Sequence, residues 1–217
     1  PSAKAGAKVR EHPGNLQQAD MNHVAHCFLS YPDDAVLFGN FIGDFVKGKS
    51  WQTYPPGVQQ GILLHRAIDT FTDNHPVARE SARRIREFAG RYAAPVVDIL
   101  YDHLLILHWE VYAQGLPFDV FADWAYRHLD KRAPEMPAEL QRRWPHMLAG
   151  RFLHGYGSRE GLEWVLDRFS LRLAGQFDAA SLSHYFFEEL DAFSSDFNGF
   201  FPELMQEANT FTDPVKS

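Results

Sequence analysis

The sequence contains little cysteine, no long apolar run and almost no strand-like alternation, and each absence excludes a class of protein. Its 217 residues include one cysteine, Cys27, so no disulfide can form within the chain. Charged residues interrupt every apolar stretch before it reaches the length of a membrane span. Alternating β-branched residues are scarce, whereas apolar residues at three-to-four spacing are frequent. Together with the absence of a signal-peptide pattern, these features predict a soluble, cytoplasmic, all-α protein.

Prolines punctuate the chain without dividing it into several domains. Residues 1–20 lack apolar periodicity and are predicted to be a disordered tail or an added, non-native segment. We expect one helical domain over 21–210 and a short tail over 211–217. The segments between prolines predict a bundle of about eight helices, over 34–47, 57–74, 77–88, 93–114, 118–131, 138–148, 159–174 and 182–204. The last helix carries an apolar stripe that is expected to lie in the core, formed by Phe186, Leu190, Phe193, Phe197 and Phe200.

The charge balance argues against nucleic acid or an anionic membrane as a partner. The chain has 28 acidic and 21 basic residues, a net charge of −7. One segment, which we call the arginine island, departs from this balance with Arg79, Arg83, Arg84, Arg86 and Arg91. Two interpretations are equally compatible with it, a solvated helix face and a docking surface for an acidic partner. No pattern indicates an oligomeric state.

Eleven histidines are present, and the segment 58–75 gives some of them a chemical context. On a helix, His65, Asp69 and Asp73 continue a stripe that begins with apolar residues. His65 and Asp69 are one turn apart and can bind one metal ion, and the neighbouring Arg66 can bind a phosphate. The alternative is a set of surface ion pairs worth about 0.2–0.5 kcal/mol each.

A second segment, 96–109, is almost continuously apolar but contains Asp98, Asp102, His103 and His108. Asp102 is expected among apolar neighbours, where an aspartate is rare unless it is paired or binds a metal. A lone histidine on an apolar face is more often a core residue. The adjacent aspartate, facing another histidine–aspartate helix, favours a site.

A third segment, LFGNFIGDFVKG over 37–48, adds another carboxylate. Gly39 and Gly43 would let a neighbouring backbone approach closely, and Asp44 interrupts an apolar run. An exposed acid at the edge of a helix is an equally good interpretation of Asp44. His23 and His26, three residues apart, are weak evidence by themselves.

Taken together, these residues form a ligand set of oxygen and nitrogen atoms without a thiolate. Its composition suits Mn²⁺ or Mg²⁺ and, less strongly, iron or zinc. Such a site activates water and holds phosphoryl oxygens, so hydrolysis of a phosphate ester is the predicted reaction. No nucleophile elbow, P-loop or dinucleotide fingerprint occurs. The set consists of Asp44, His65, Asp69, Asp73, Asp102 and His103.

Five motifs, in order from Met21 to Met205, resemble the acyl carrier protein phosphodiesterase family. They are MNHVAH, GNFIGDFVKG, YPPGVQQGILLHRAIDTFTDNHP, ILYDHLLILHW and FFPELM. The resemblance implies an all-helical, divergent HD-type phosphohydrolase. It would use Mn²⁺, or Mg²⁺, Fe²⁺ or another divalent ion, to remove 4′-phosphopantetheine from holo acyl carrier protein, an acidic partner. The chain departs from the family pattern AHLHL in reading AHCFL, so Phe28 replaces a histidine.

The resemblance also implies roles for individual residues. A metal would be held by some of Asp44, His65, Asp69, Asp102 and His103. Arg66 would balance the phosphoryl charge, and His75 or His103 would protonate the departing serine oxygen. The supporting residues would be His26, Asp73 and His108, and the arginine island would dock the carrier protein.

Two alternatives remain open from the sequence. The first is an HD-like phosphohydrolase that acts on a nucleotide or another small phosphodiester through the same site. The second is a non-catalytic module that binds an acidic partner, in which the histidine–aspartate helices form structural ion pairs.

Overall fold

The computed structural model describes residues 23–212, which form helices and connecting turns with no strand in that range. The all-α prediction is confirmed. The predicted tail over 1–20 lies outside the described residues, as does the end of the tail predicted over 211–217. The α-helices are α1 (His23–Phe28), α2 (Asp34–Phe41), α3 (Pro56–Asn74), α4 (Pro76–Arg84), α5 (Arg86–Ala89), α6 (Ala93–Leu107), α7 (Trp109–Tyr112), α8 (Phe118–Lys131), α9 (Ala138–Ala149), α10 (Arg159–Arg172), α11 (Ala179–Glu188) and α12 (Leu190–Thr212).

Short 3₁₀ turns connect several of these helices, and the local sequence explains where the helices begin. The turns are Gly43–Phe45, Ser50–Thr53, Gly90–Tyr92, Ala133–Glu135 and Phe152–Tyr156. Prolines start α3 and α4, where the missing N–H costs no hydrogen bond. Asp33 caps α2 by accepting hydrogen bonds from the first-turn amides of Ala35 and Val36. Within residues 23–212, no helix has the combined length and apolarity that crossing a membrane requires.

Four helices predicted from apolar periodicity end early or divide in the structure. The helix predicted over 34–47 ends at Phe41, and Asp44 lies in a 3₁₀ turn. The helix over 77–88 divides at Ile85, that over 93–114 at His108, and that over 182–204 at Glu189. Apolar spacing continues across each break, so periodicity alone does not reveal it. The six-residue α1, which precedes these segments, was not predicted.

The core is one cluster of buried residues to which each of these α-helices contributes. Four residues of the predicted stripe are buried, with Phe186, Phe193, Phe197 and Phe200 each at most 2% exposed, whereas Leu190 is only partly buried. Helices α2 and α3 cross in direct contact at Gly39 and Gly61, where a Cβ on either glycine would overlap the backbone of the other helix. The expected close approach at Gly39 is therefore confirmed. This crossing fixes the position of α3 against the segment that carries Asp44.

Candidate metal centre

Four side chains from three segments of the chain converge, and we call them the His–Asp cluster: His26 of α1, Asp44 of a 3₁₀ turn, and His65 and Asp69 of α3. Nε2 of His65 lies 3.3 Å from Oδ1 of Asp44 and 3.2 Å from Oδ2 of Asp69. Nε2 of His26 lies 3.3 Å from Oδ1 of Asp69. One ligand atom from each of His26, His65 and Asp69 lies within 4.8 Å of the other two, a spacing at which they could share one ion.

The glycine of the GDF motif lets the ring of His65 approach the 3₁₀ turn. A Cβ at Gly43 would lie 2.6 Å from Cδ2 and 2.7 Å from Cβ of His65, closer than real contacts allow. Asp44 follows Gly43 directly, so the same close approach brings its carboxylate to the imidazole. The sequence therefore needs glycine at position 43 in order to complete the cluster.

Asn40 fixes the orientation and the tautomer of His26. Its Nδ2 donates hydrogen bonds to the carbonyl oxygen of His26 and to Oγ of Ser30, both at 2.9 Å. This leaves Oδ1 of Asn40 as an acceptor, 2.6 Å from Nδ1 of His26, so Nδ1 carries the proton. Nε2 is then the ring nitrogen that faces Asp69. Outer partners of this kind orient histidine ligands in metal sites.

The electrostatics of the cluster favour a bound cation. Neither ring nitrogen of the buried His65 makes a well-aligned hydrogen bond to a described residue, although two carboxylates lie within ion-pair distance. Burial acts to lower the pKa of His65, but Asp44 and Asp69 outweigh it and raise that pKa to about 10. Burial acts to raise the pKa of Asp69, but His26 and His65 hold it below its usual range. The cluster therefore stabilises positive charge, which a proton or a metal ion can supply.

Asp102, predicted as a metal ligand, anchors the helix that carries His26. It is fully buried, and its two oxygens accept hydrogen bonds from the backbone amides of Val24 and Ala25, each at 2.9 Å. Burial raises the pKa of Asp102 to about 7, against the opposing effect of these amides. The structure thus directs this carboxylate to the start of α1.

The three other histidines predicted for the site make different contacts. Nδ1 of His103 lies 2.7 Å from the carbonyl oxygen of Tyr156, and its ring packs between Phe186 and Phe187. His75 caps α4 through Nδ1, and ten residues at the rise of a helix separate it from His65 by about 15 Å. His108 lies at the junction of α6 and α7 with its ring parallel to that of Phe197.

Two further charged side chains flank the cluster. Arg66 is partly buried, and its Nη2 donates to the carbonyl oxygens of Val46 and Gly48 at 2.9 and 3.0 Å, beside the turn that carries Asp44. Asp73 is exposed at the surface, but partial desolvation of its carboxyl, followed by the charge of Asp69, raises its pKa.

Sequence reasoning left two residues of this region outside the predicted site. Asp98 lies on α6 near Asp69 and Asp73. Burial first, and then the charges of these two carboxylates, raise the pKa of Asp98 well above the ordinary value. The sequence does carry a signal for Asp98, because it is an acid within an apolar run. Asn40, which orients His26, is an amide in the apolar segment 36–42, and that pattern alone does not distinguish it from a core hydrogen bond.

The arginine island is partly neutralised by its own neighbours. Arg83 makes two hydrogen bonds to Glu80, at 2.8 and 2.6 Å, and Arg84 lies 3.1 Å from Asp196. Arg79 binds the carbonyl oxygen of Asp73 and the side chain of Asn74. Among the described residues, no acid lies within ion-pair distance of Arg86 or Arg91, and Arg91 instead contacts Gln176.

Comparison with known proteins connects this geometry to a family. The family model described as "Acyl carrier protein phosphodiesterase" matches residues 21–204. A protein of that name from Salmonella paratyphi A is 32% identical over 189 residues, which cover 87% of this chain and 97% of the relative. Proteins of the same name from Salmonella agona and Salmonella newport are 31% identical over the same shares. No solved structure matches the chain. The chain belongs to the acyl carrier protein phosphodiesterase family.

Proposed function

We propose that this protein is a metal-dependent phosphodiester hydrolase that removes 4′-phosphopantetheine from holo acyl carrier protein and leaves the apo form. Family membership supports the reaction and the substrate. The observation that carries the metal dependence is the convergence of His26, His65 and Asp69, with Asp44 at 3.3 Å from His65.

The residues of the cluster fit a hard or borderline divalent ion. Two imidazoles and two carboxylates supply nitrogen and oxygen ligands, and the buried ring of His65 makes no hydrogen bond to a described residue that would compete. His26, His65, Asp69 and Asp44 would hold the ion, with Mn²⁺ as the proposed metal and Mg²⁺ or Fe²⁺ as compatible ions. The chemistry that such an ion supplies is activation of water and polarisation of phosphoryl oxygens.

The protein's own side chains prepare this site. Asn40 keeps the proton of His26 on Nδ1, so that Nε2 remains a ligand. Asp102 holds the start of α1 and with it His26. Arg66 is fixed beside the turn that carries Asp44, and its remaining N–H groups are proposed to balance phosphoryl charge. The roles of His75 and His103 as proton donors stay predictions.

Intact-mass measurement of holo acyl carrier protein, after incubation with this protein and Mn²⁺, tests the proposal. We expect the mass to fall by the whole 4′-phosphopantetheine group, and we expect the Asp69→Asn variant to leave it unchanged. An unchanged mass with the native protein, together with turnover of a nucleotide, would instead support a phosphohydrolase with a small substrate.

Docking by the arginine island is a separate proposal. Reversal of Arg83 and Arg84 to Glu should raise KM for the carrier protein but not for a small phosphodiester.

A further inference from the structure

Residues 46–54, which we call the lysine loop, lead from the turn that carries Asp44 to the start of α3. The His–Asp cluster reaches the surface through its carboxylates: the side chain of Asp69 is 38% exposed and that of Asp44 is 20% exposed. Lys47 and Lys49 are exposed and follow Asp44 by three and five residues. Because one residue spans at most about 3.6 Å, their Cα atoms lie within about 11 and 18 Å of the Cα of Asp44. The lysine loop therefore forms part of the surface beside the candidate metal centre.

Hydrogen bonds hold the backbone of the lysine loop in place. Nη2 of Arg66 donates to the carbonyl oxygens of Val46 and Gly48 at 2.9 and 3.0 Å, and Oγ of Ser50 donates to the carbonyl oxygen of Lys47 at 2.6 Å. Gly48 has a φ of +56°, a left-handed conformation that strains most other residues. The backbone of the loop is thus ordered before a partner binds, which lowers the entropy cost of binding.

The positive charge of this region is not neutralised by neighbouring acids. Within residues 23–212, no Asp or Glu lies within ion-pair distance of the side chains of Lys47, Lys49 or Arg66. The acid that precedes the loop, Asp44, faces the ring of His65 instead. In the arginine island, by contrast, two arginines lie within ion-pair distance of an acid. The lysine loop therefore presents uncompensated cations to solvent.

Arg66 connects the lysine loop directly to the His–Asp cluster. It follows His65 on α3, and its guanidinium contacts the loop at Val46 and Gly48. The backbone of the loop is therefore one side chain away from the helix that carries His65 and Asp69. A phosphodiester that is attached to a protein brings the neighbouring residues of that protein to the surface around the site where it reacts. The lysine loop is placed to contact those residues.

We propose that the lysine loop docks an acidic segment of the protein substrate, next to the side chain that carries the phosphodiester. Attraction between exposed lysines and carboxylates acts on the encounter of the two proteins and on KM, and it weakens as salt is added. The identity of the partner as acyl carrier protein rests on the proposed function, whereas the preference for an acidic segment rests on the loop. The arginine island can contact a different part of the same partner.

Steady-state hydrolysis of holo acyl carrier protein with Mn²⁺, followed by intact mass, tests the inference, with bis(4-nitrophenyl) phosphate as the small substrate. The double variant Lys47→Glu with Lys49→Glu should raise KM for the carrier protein about 10-fold at low ionic strength and leave kcat/KM for the small substrate within about twofold. In about 0.5 M salt the rise in KM should shrink to about twofold, because the Debye length there is about 4 Å.

A matched control separates docking from a general effect of net charge. Arg127→Glu with Lys131→Glu changes the net charge equally on α8, a helix that contributes no residue to the His–Asp cluster, and should leave KM within about twofold. Three results would overturn the inference: an unchanged KM for Lys47→Glu with Lys49→Glu, an equal loss on both substrates, or a rise in KM that the control shares.

Binding of apo acyl carrier protein, measured by calorimetry without metal, separates this inference from the proposed function, because it requires no hydrolysis. We expect the native protein to bind and the Lys47→Glu with Lys49→Glu variant to bind about 10-fold more weakly. No binding by the native protein at about 1 mM, or equal affinities, would overturn the docking. If the native protein binds in this way but leaves the mass of the holo carrier unchanged, the proposed reaction fails and the docking stands.

Discussion

Two histidine–aspartate pairs look alike in the sequence, but the structure gives them different surroundings. His65 and Asp69 are one turn apart on α3 and lie in contact with His26 and Asp44. Asp102 and His103 are adjacent on α6, and each is engaged by backbone groups of another segment. The side chain of Asp69 is 38% exposed and Asp102 is 0% exposed.

The difference shows that burial of an acid does not by itself identify a metal ligand. Asp102 is the more deeply buried carboxylate, but two backbone amides of α1 satisfy both its oxygens. The partly exposed Asp69 lies between two imidazoles, with its Oδ1 3.3 Å from Nε2 of His26 and its Oδ2 3.2 Å from Nε2 of His65. What marks His26, His65 and Asp69 as candidate ligands is the convergence of their ligand atoms, which lie within 4.8 Å of one another.

The largest expected effect is on catalysis at the His–Asp cluster. Asp69→Asn keeps the shape of the side chain but removes its charge, so hydrolysis of holo acyl carrier protein should fall at least about 1,000-fold, equivalent to about 4 kcal/mol in the barrier. Initial rates measured by mass spectrometry, with circular dichroism to verify folding, provide the check. A folded Asp69→Asn protein with near-native rates would show that the charge of Asp69 is not needed for hydrolysis.

The next largest effect is on the stability of the protein and concerns the pair Asp102 and His103. Asp102→Ala leaves the amides of Val24 and Ala25 without an acceptor in a buried setting, which should lower the free energy of unfolding by about 3 kcal/mol. Urea denaturation measures the free energy of unfolding. Asp69→Asn is the matched control, and its free energy of unfolding should fall by less. If Asp102→Ala were as stable as the native protein but unable to bind Mn²⁺, Asp102 would be a ligand after all.

A smaller effect is expected at Asn40, which holds His26. Asn40→Ala should weaken Mn²⁺ binding about 10- to 100-fold, because His26 loses both its orientation and its tautomer. Calorimetric titration of Mn²⁺ provides the measurement. Ser30→Ala removes a hydrogen bond to Asn40 and one to the carbonyl oxygen of His26 but leaves the contact between Asn40 and Nδ1 of His26, so it serves as the control and should have less effect. Equal affinities for the native and Asn40→Ala proteins would mean that His26 does not bind the metal.

The last effect concerns pH, and it is small for each single pH unit. The pKa of Asp102 is about 7 in the folded protein against 3.8 for an ordinary aspartate, so unfolding releases a proton between these values. The stabilisation from this group is complete below about pH 4 and is lost as the pH rises through about 7, by at most about 1.4 kcal/mol per pH unit. The free energy of unfolding, measured by denaturation at pH values from 4.5 to 8, should therefore fall more steeply with pH for the native protein than for Asp102→Asn. Parallel curves would show that Asp102 keeps an ordinary pKa.

Much of the fold follows from the sequence by simple physics. Prolines at the start of α3 and α4, and apolar residues at helical spacing, located most of the helices. The breaks at Ile85, His108 and Glu189 could not be located, because packing decides them and apolar spacing continues through them. Helix α1 is too short for periodicity to reveal.

Part of the candidate site could likewise be predicted from the sequence. One-turn spacing predicted that His65 and Asp69 act together, and Asp44 stood out as an acid in an apolar run. His26 received only a supporting role, because pairs of histidines three residues apart occur by chance. Asp102 could not be distinguished from a ligand, since an acid that accepts backbone amides and an acid that binds a metal both interrupt an apolar helix.

Binding of Mn²⁺ to the native protein, Asp69→Asn and Asp102→Asn tests the central claim most directly. Electron paramagnetic resonance of free Mn²⁺, recorded during titration, gives the bound fraction for each folded protein. We expect the native protein and Asp102→Asn to bind the ion and Asp69→Asn not to bind it. Retained binding in Asp69→Asn together with loss in Asp102→Asn would contradict it.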